Sequence, residues 1–290
     1  MADEGEQIGG YKLRRLLQTG QVSQVFEVVE PTSHRHFAMK LLLPEAANKP
    51  DERNNLFHEA AVGIKLRHDN IIRIVKVDRS QHSPHFIMEF FPSGSMRNRL
   101  LQKNFDFIKE NAMKIFKQAA TALAYMHSMK YIHCDIKPDN MLVNQLGEMK
   151  LIDFAISKQF VKGIARWFYK RKKAQGTPSF MSPEQIRGEM LDGRADIYSL
   201  GATMYELLTG RPPFRGNTTL DLLNKHIKEK PYSPKAYNQN LTDDICNLIV
   251  KMISKRREDR PQNCHDILIA LRGIRIYLTD PVPSKEDSYQ

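Results

Sequence analysis

A change of hydrophobic period near Pro92 constrains the fold more than any other feature of this chain. Before it, residues 13–17, 25–29 and 37–43 are short apolar runs rich in β-branched and aromatic residues, broken by Gly20 and Pro31. Such runs read as strands. Leu56, Ala60, Ile64 and Arg67 recur at helical spacing and predict one helix over 51–67. Two further strands are expected at 71–77 and 86–91. After Pro92 the pattern turns helical. Ile108, Ala112, Ile115, Ala119, Leu123 and Met126 form one apolar stripe across 107–129. Helices are also expected at 195–209, closed by Gly210, at 241–254 and at 264–272. Strands gathered in the first part and helices in the second place the chain in the α+β class.

A length of 290 residues allows one large domain or two small ones, and an apolar share of 41% supports a packed core. No run of about 18 apolar residues occurs, so no transmembrane helix is expected. Residues 1–10 are acidic and polar, unlike a signal peptide. Cys134, Cys246 and Cys264 show neither metal-ligand spacing nor a disulfide framework. That usage fits a reducing, cytoplasmic setting. The formal charge of +11 is compatible with nucleic acid, an anionic membrane or acidic proteins as partners. The plainest reading spreads it over solvated faces. Residues 166–173 are the exception, because basic and aromatic side chains alternate there.

The chemistry concentrates in His133-Cys134-Asp135-Ile136-Lys137-Pro138-Asp139-Asn140, followed thirteen residues later by Asp153-Phe154-Ala155. An acid, a lysine and two oxygen ligands at fixed spacing resemble the catalytic and metal loops of eukaryotic-type (Hanks-type) serine/threonine protein kinases. The resemblance implies a protein kinase catalytic domain over 11–277 in the two-lobed fold, with flexible termini at 1–10 and 278–290. The N-lobe would be an antiparallel sheet plus one helix over about 11–91, and the C-lobe mainly α-helical over about 92–277. Asp135 becomes the base that accepts, or at least orients, the substrate hydroxyl. Lys137 neutralises the moving γ-phosphoryl and points to Ser/Thr substrates. Asn140 and Asp153 hold the metal. ATP is implied as phosphoryl donor, with Mg²⁺ and alternatively Mn²⁺. The motifs Asp196-Ile197-Tyr198-Ser199-Leu200-Gly201 and Met181-Ser182-Pro183-Glu184-Gln185 look most like bacterial members.

Further residues follow from the same resemblance. Lys40, in Ala38-Met39-Lys40, would hold the α- and β-phosphates, and Glu59, nineteen residues on, would keep it oriented. The family's glycine-rich loop survives here as Gln18-Thr19-Gly20-Gln21-Val22-Ser23, with only the middle glycine kept. Glycines let backbone N–H groups approach phosphate closely, so Gln18 and Ser23 predict a stiffer or looser loop. Val25 would pack on adenine, and Ala38 belongs to the same nucleotide-binding set. Met88 takes the gatekeeper position, the Glu89 carbonyl and the Phe91 N–H read the adenine edge, and Leu142 joins the same set. Thr177 would bond Asp135 and Lys137, Glu184 would pair with Arg260, and Asp196 would brace the catalytic loop.

Four departures matter. Cys134 stands where most members carry the arginine that binds an activation-segment phosphate. Lys173, eleven residues before Glu184, stands where many carry the phosphorylated threonine. Between Ser157 and Thr177 the only hydroxyl is that of Tyr169. A fixed cation thus replaces a switchable anion, which predicts activity not gated by phosphorylation. Ala155 replaces the glycine of the metal motif. Were a flipped inactive form to need positive φ there, Ala would oppose it by on the order of 1 kcal/mol. Gly63, at a position of the family's regulatory spine with Ile74, His133 and Phe154, predicts a spine weak at its helix end.

The first reading is an active enzyme acting on protein substrates, acidic ones included. A pseudokinase that binds nucleotide or partners as a scaffold is the alternative, supported by Gln18, Ser23, Ala155 and Gly63. Retention of Lys40, Glu59, Asp135, Lys137, Asn140 and Asp153 favours the enzyme. A nucleic-acid-binding module rests on the basic segment alone.

Overall fold

The structure is a computed structural model and describes residues 5–160 and 174–279. The basic segment 166–173, with Tyr169 and Lys173, lies outside the described residues. Two compact units result. One runs through Pro92 and includes Ile152–Ile156, and the other comprises Ser93–Leu151 and residues from Ser157 onward.

The first unit is a six-stranded antiparallel sheet with helices on one face. Its strands are β1 (Gln7–Ile8), β2 (Tyr11–Thr19), β3 (Ser23–Val29), β4 (His36–Leu42), β5 (Ile74–Asp78) and β6 (His85–Glu89), in the order β1-β2-β3-β4-β6-β5. Gln7–Ile8, inside the stretch expected to be a free terminus, pairs with β2 and buries Ile8. The register sorts side chains by face. Phe26 opposes Met39, Val28 opposes Phe37, and Met39 opposes Ile87. With Ile8, Tyr11, Leu13 and Leu41 these form a closed apolar core. Val25 opposes Lys40, Ala38 opposes Met88, and Lys40 opposes Phe86, so these residues line the other face.

Two helices pack on part of that second face, against Leu42, Ile74 and Phe86: α1 (Pro44–Ala47) and α2 (Pro50–Lys65). Pro50 suits the first turn of α2, and Asp51 and Glu52 complement its dipole. Leu56 and Ala60 are buried as the periodicity predicts, but Ile64 is 40% exposed. The inward stripe runs instead through Glu59, Val62 and Gly63. A paired carboxylate and a close backbone approach took positions that hydrophobicity alone assigns to Ile64.

The second unit is mainly helical. In order it contains β7 (Gly94–Ser95), α3 (Met96–Leu101), α4 (Phe105–Ser128), β8 (Tyr131–Ile132), β9 (Met141–Val143), β10 (Met149–Leu151), β11 (Lys158–Gln159) and α5 (Pro183–Ile186). Then come α6 (Arg194–Thr209), α7 (Thr219–Lys228), α8 (Asp243–Met252) and α9 (Cys264–Gly273). The whole expected stripe of α4 is buried. In α6 every residue from Ala195 to Leu208 is buried, which makes it the centre of this unit. Gly210 closes α6 at φ 71°, a left-handed conformation in which a Cβ is strained. The expected helix at 241–254 starts at Asp243 because Thr242 caps it, its Oγ1 accepting from Ile245 N at 3.4 Å. Among the described residues no helix is long and apolar enough to cross a membrane.

Candidate active site

On the first unit the charged groups gather where β4, α2 and residues 152–156 meet. Lys40 Nζ lies 2.6 Å from Glu59 Oε2 and 4.0 Å from Asp153 Oδ1. Burial lifts the Glu59 carboxyl to about 7, and the Lys40 ammonium beside it pulls the other way. Burial also works against the Lys40 charge, but Glu59 and Asp153 outweigh it and raise its pKa, so the ammonium persists. Asp153 adopts φ 69°, and its Oδ1 accepts from Ala155 N at 3.3 Å. The left-handed residue of this turn is therefore Asp153. Ala155 is not among the positive-φ residues, so its methyl carries no backbone strain here.

The candidate nucleotide residues share a surface. Gln18 pairs with Val25, and Val25 with Lys40, while Ser23 lies two residues before Val25 on the same strand. Gln18, Ser23, Val25, Ala38, Lys40 and Met88 thus present to one face of the sheet. Gly20 N donates to Ser23 O at 2.8 Å and closes the turn. A Cβ on Gly20 would sit 3.3 Å from that carbonyl oxygen. Gln18 and Ser23 lie in paired strand, so of the three motif positions it is the middle one that forms the turn. Glu89 ends β6, its N–H donating to Arg73 O at 2.9 Å and its carboxylate accepting from Arg73 N at 2.8 Å. Phe91 follows two residues on, half-buried.

Gly63 reverses the expected weakness. A Cβ there would overlap Ile74 and lie 3.2 Å from Phe154 Cδ2. Ile74 and Phe154 fill the space directly, and the absent side chain is what admits them.

On the second unit the loop between β8 and β9 carries Asp135, Lys137 and Asn140, with Leu142 in β9. Four donors meet the Asp135 carboxylate. Thr177 N and Thr177 Oγ1 reach Oδ1 at 3.0 and 2.8 Å. Lys137 Nζ and Asn140 Nδ2 reach Oδ2 at 2.6 and 3.1 Å. Lys137 also donates to Thr177 Oγ1 at 2.7 Å, and Asn140 to the Asp135 carbonyl at 2.8 Å. The arrangement fixes the acid and places a cation beside it.

Buried charge braces the loop. Asp196, in the first turn of α6, accepts from His133 N and Cys134 N, both at 2.9 Å, and from His127 Nε2 at 2.8 Å. Burial disfavours the His127 imidazolium, yet the hydrogen bonds and charges of Asp196 and Cys264 together outweigh it and lift the pKa to about 10. Cys134 is buried at φ 70°, and burial pushes its thiol up, so it supplies neither nucleophile nor cation. Arg260 forms a bidentate pair with Glu184 at 2.7 and 2.9 Å.

Sequence reasoning missed Arg97, Glu206, His127 and Gln185. Arg97 grips Glu206 at 2.9 and 3.0 Å and reaches Asp139 Oδ2 at 3.2 Å, tying the loop to α6. Arg97 and Glu206 are 109 residues apart, beyond the reach of local spacing.

Residues 11–269 match the family described as protein kinase domain. The chain is 28% identical over 275 residues to the serine/threonine-protein kinase PknB of Mycobacterium leprae, covering 93% of this chain and 43% of that protein. It is 30% identical over 265 residues to a protein of Clostridium perfringens named as a probable serine/threonine-protein kinase, covering 91% of this chain and 38% of that protein. The chain therefore spans less than half the length of these curated relatives.

Proposed function

The chain belongs to the protein kinase family, and on that footing we propose that it is a bacterial-type serine/threonine protein kinase. It would transfer the γ-phosphoryl of ATP to Ser or Thr hydroxyls of proteins. The observation that carries this reading is the convergence of Lys137, Asn140 and Thr177 on the Asp135 carboxylate. Asp135 accepts the proton of the attacking hydroxyl. Lys137 faces the charge that builds on the transferred group. Lys40, held by Glu59, binds the donor's phosphates, and the shared face of Gln18, Ser23, Val25, Ala38 and Met88, with Gly20 in the turn beside it, receives the nucleotide together with Glu89, Phe91 and Leu142.

Asn140 and Asp153 suit a divalent ion, Mg²⁺ or Mn²⁺. Asn140 commits its Nδ2 to Asp135, which orients its carbonyl oxygen as the ligand atom. One amide and one carboxylate suit an ion that keeps water and phosphate oxygens in its shell. Bound there, the ion neutralises phosphate charge. The +11 charge favours acidic protein substrates. Cys134 and Ala155 mark a subtype that needs no activation-segment phosphate.

Transfer from MgATP to a generic protein acceptor tests the assignment. Asp135→Asn and Lys40→Met should each lower kcat/KM by at least about 100-fold while the fold survives. Activity that persists in both variants would remove these residues from the mechanism.

A further inference from the structure

We propose that Gln185 is a positioning residue, an amide clamp that locks the catalytic loop to the end of the activation segment without a phosphate. The proposal rests on the kinase reading above and adds how that site is held in its active arrangement.

Gln185 lies in α5 and is 3% exposed. Its Nε2 donates to Cys134 O at 2.6 Å and to Gln175 O at 2.7 Å. Both amide hydrogens are thereby spent on two separate strands of chain. Cys134 directly precedes Asp135. Gln175 stands two residues before Thr177, whose N–H and hydroxyl hold Asp135 Oδ1. One side-chain amide therefore joins the two segments right beside the bonds that fix the acid. The backbone of Gln185 is itself held, its N–H donating to the cap Ser182 Oγ at 3.3 Å.

The surroundings are shaped to this amide. Gly176 sits at φ 132°, and a Cβ there would lie 2.8 Å from Gln185 Nε2 and 3.3 Å from Cys134 O. Only glycine leaves the amide room to reach both carbonyls. Cys134 holds a left-handed backbone, uncommon for a residue with a Cβ, in the conformation whose carbonyl meets Gln185. Gln185 Oε1 is buried and has no hydrogen-bond partner among the described residues. Family members with arginine before the catalytic acid can draw these segments together through a phosphate. Here Cys134 has no cation to offer, and Gln185 links the same two segments with a neutral group.

Gln185→Glu keeps the shape, removes both donors and turns a carboxylate toward two carbonyl oxygens. Its kcat for phosphate transfer should fall by about tenfold or more, while KM for ATP changes by less than about twofold. Hydrogen exchange reads the clamp independently of catalysis. Protection of the Thr177 amide should drop, and that of Leu200 in α6 should remain. Gln185→Met, uncharged and without donors, should shift both readouts in the same direction and decides the matter if the Glu variant does not fold. Phosphatase treatment of the wild type should leave kcat unchanged. Unchanged Thr177 protection and kcat in the variants would overturn the proposal. So would a loss of more than about tenfold on phosphatase treatment, which would assign the clamping to a phosphate. A wild-type chain that transfers no phosphate, yet loses Thr177 protection in the variants, would overturn the enzymatic reading and leave the clamp standing.

Discussion

Gly63 has no side chain, and Ile74 with Phe154 occupies the volume one would need. Two effects compete when a methyl is added. Gly63→Ala gains roughly 1 kcal/mol of helix propensity, but its methyl would overlap Ile74 Cδ1 and lie 2.9 Å from Ile74 Cγ1, so the change should be neutral to mildly destabilising. Gly63→Val adds a branched Cβ that Ile74 and Phe154 cannot both avoid, and it should cost about 1–3 kcal/mol in urea unfolding. A Val variant as stable as the wild type would show that the gap is not tightly filled. Lys40 and Glu59 were legible only through the family resemblance, since as an isolated pair they look like an ordinary surface lysine and glutamate. The inward turn of Gly63 was not, since a glycine contributes nothing to a hydrophobic pattern.

Among the elements, α6 governs the catalytic loop. Its first turn delivers Asp196, fully buried, to two loop N–H groups and to His127 at the end of α4. Asp196→Asn keeps the size but removes the charge, and the amide must present a donor where three donors already point. His127 is raised from 6.5 to about 10, so its stabilising contribution is complete below pH 6.5 and is lost as pH rises through 10. In an NMR titration the wild-type imidazole should stay protonated beyond pH 8, and in Asp196→Asn it should titrate markedly lower. The kcat should fall by about 10- to 100-fold with it, because Asp135 loses its backbone support. A wild-type His127 that titrates near neutrality would break this account. The helices themselves were legible wherever apolar spacing runs for several turns, as in α4. The short α3 and α5 carry too few turns for a period to show, although α5 delivers Gln185.

At the scale of the whole molecule, stability should fall on the acid side through His226. This residue in α7 is buried, pairs with Tyr198 Oη at 2.9 Å, and faces the ammonium of Lys255. Burial first, and Lys255 second, depress its pKa from 6.5 to about 3. The unfolded chain takes up a proton below 6.5 that the folded chain refuses, so stability is lost as pH falls from 6.5 toward 3. Between pH 7 and pH 4 that loss amounts to about 3 kcal/mol from this group. Urea unfolding at several pH values measures it, and His226→Leu should flatten the acid arm. An equally steep arm in the variant would shift the cause to other groups.

Period and spacing act within one element or one loop, and there the residues alone sufficed. They placed most strands of the sheet and the long helices. They also placed Asp135, Lys137 and Asn140 on a single loop. Contacts that close large stretches of chain escaped them. Thr177 reaches Asp135 across 42 residues, a contact that only the family resemblance announced, while Gln185 reaches Cys134 across 51 and Asp196 reaches His127 across 69 with no signal in the sequence. Each puts a polar group inside the fold, against its transfer preference, and it is tolerated only because a partner from distant sequence satisfies it. That partnership exists once the chain has closed, so no local pattern of residues can announce it.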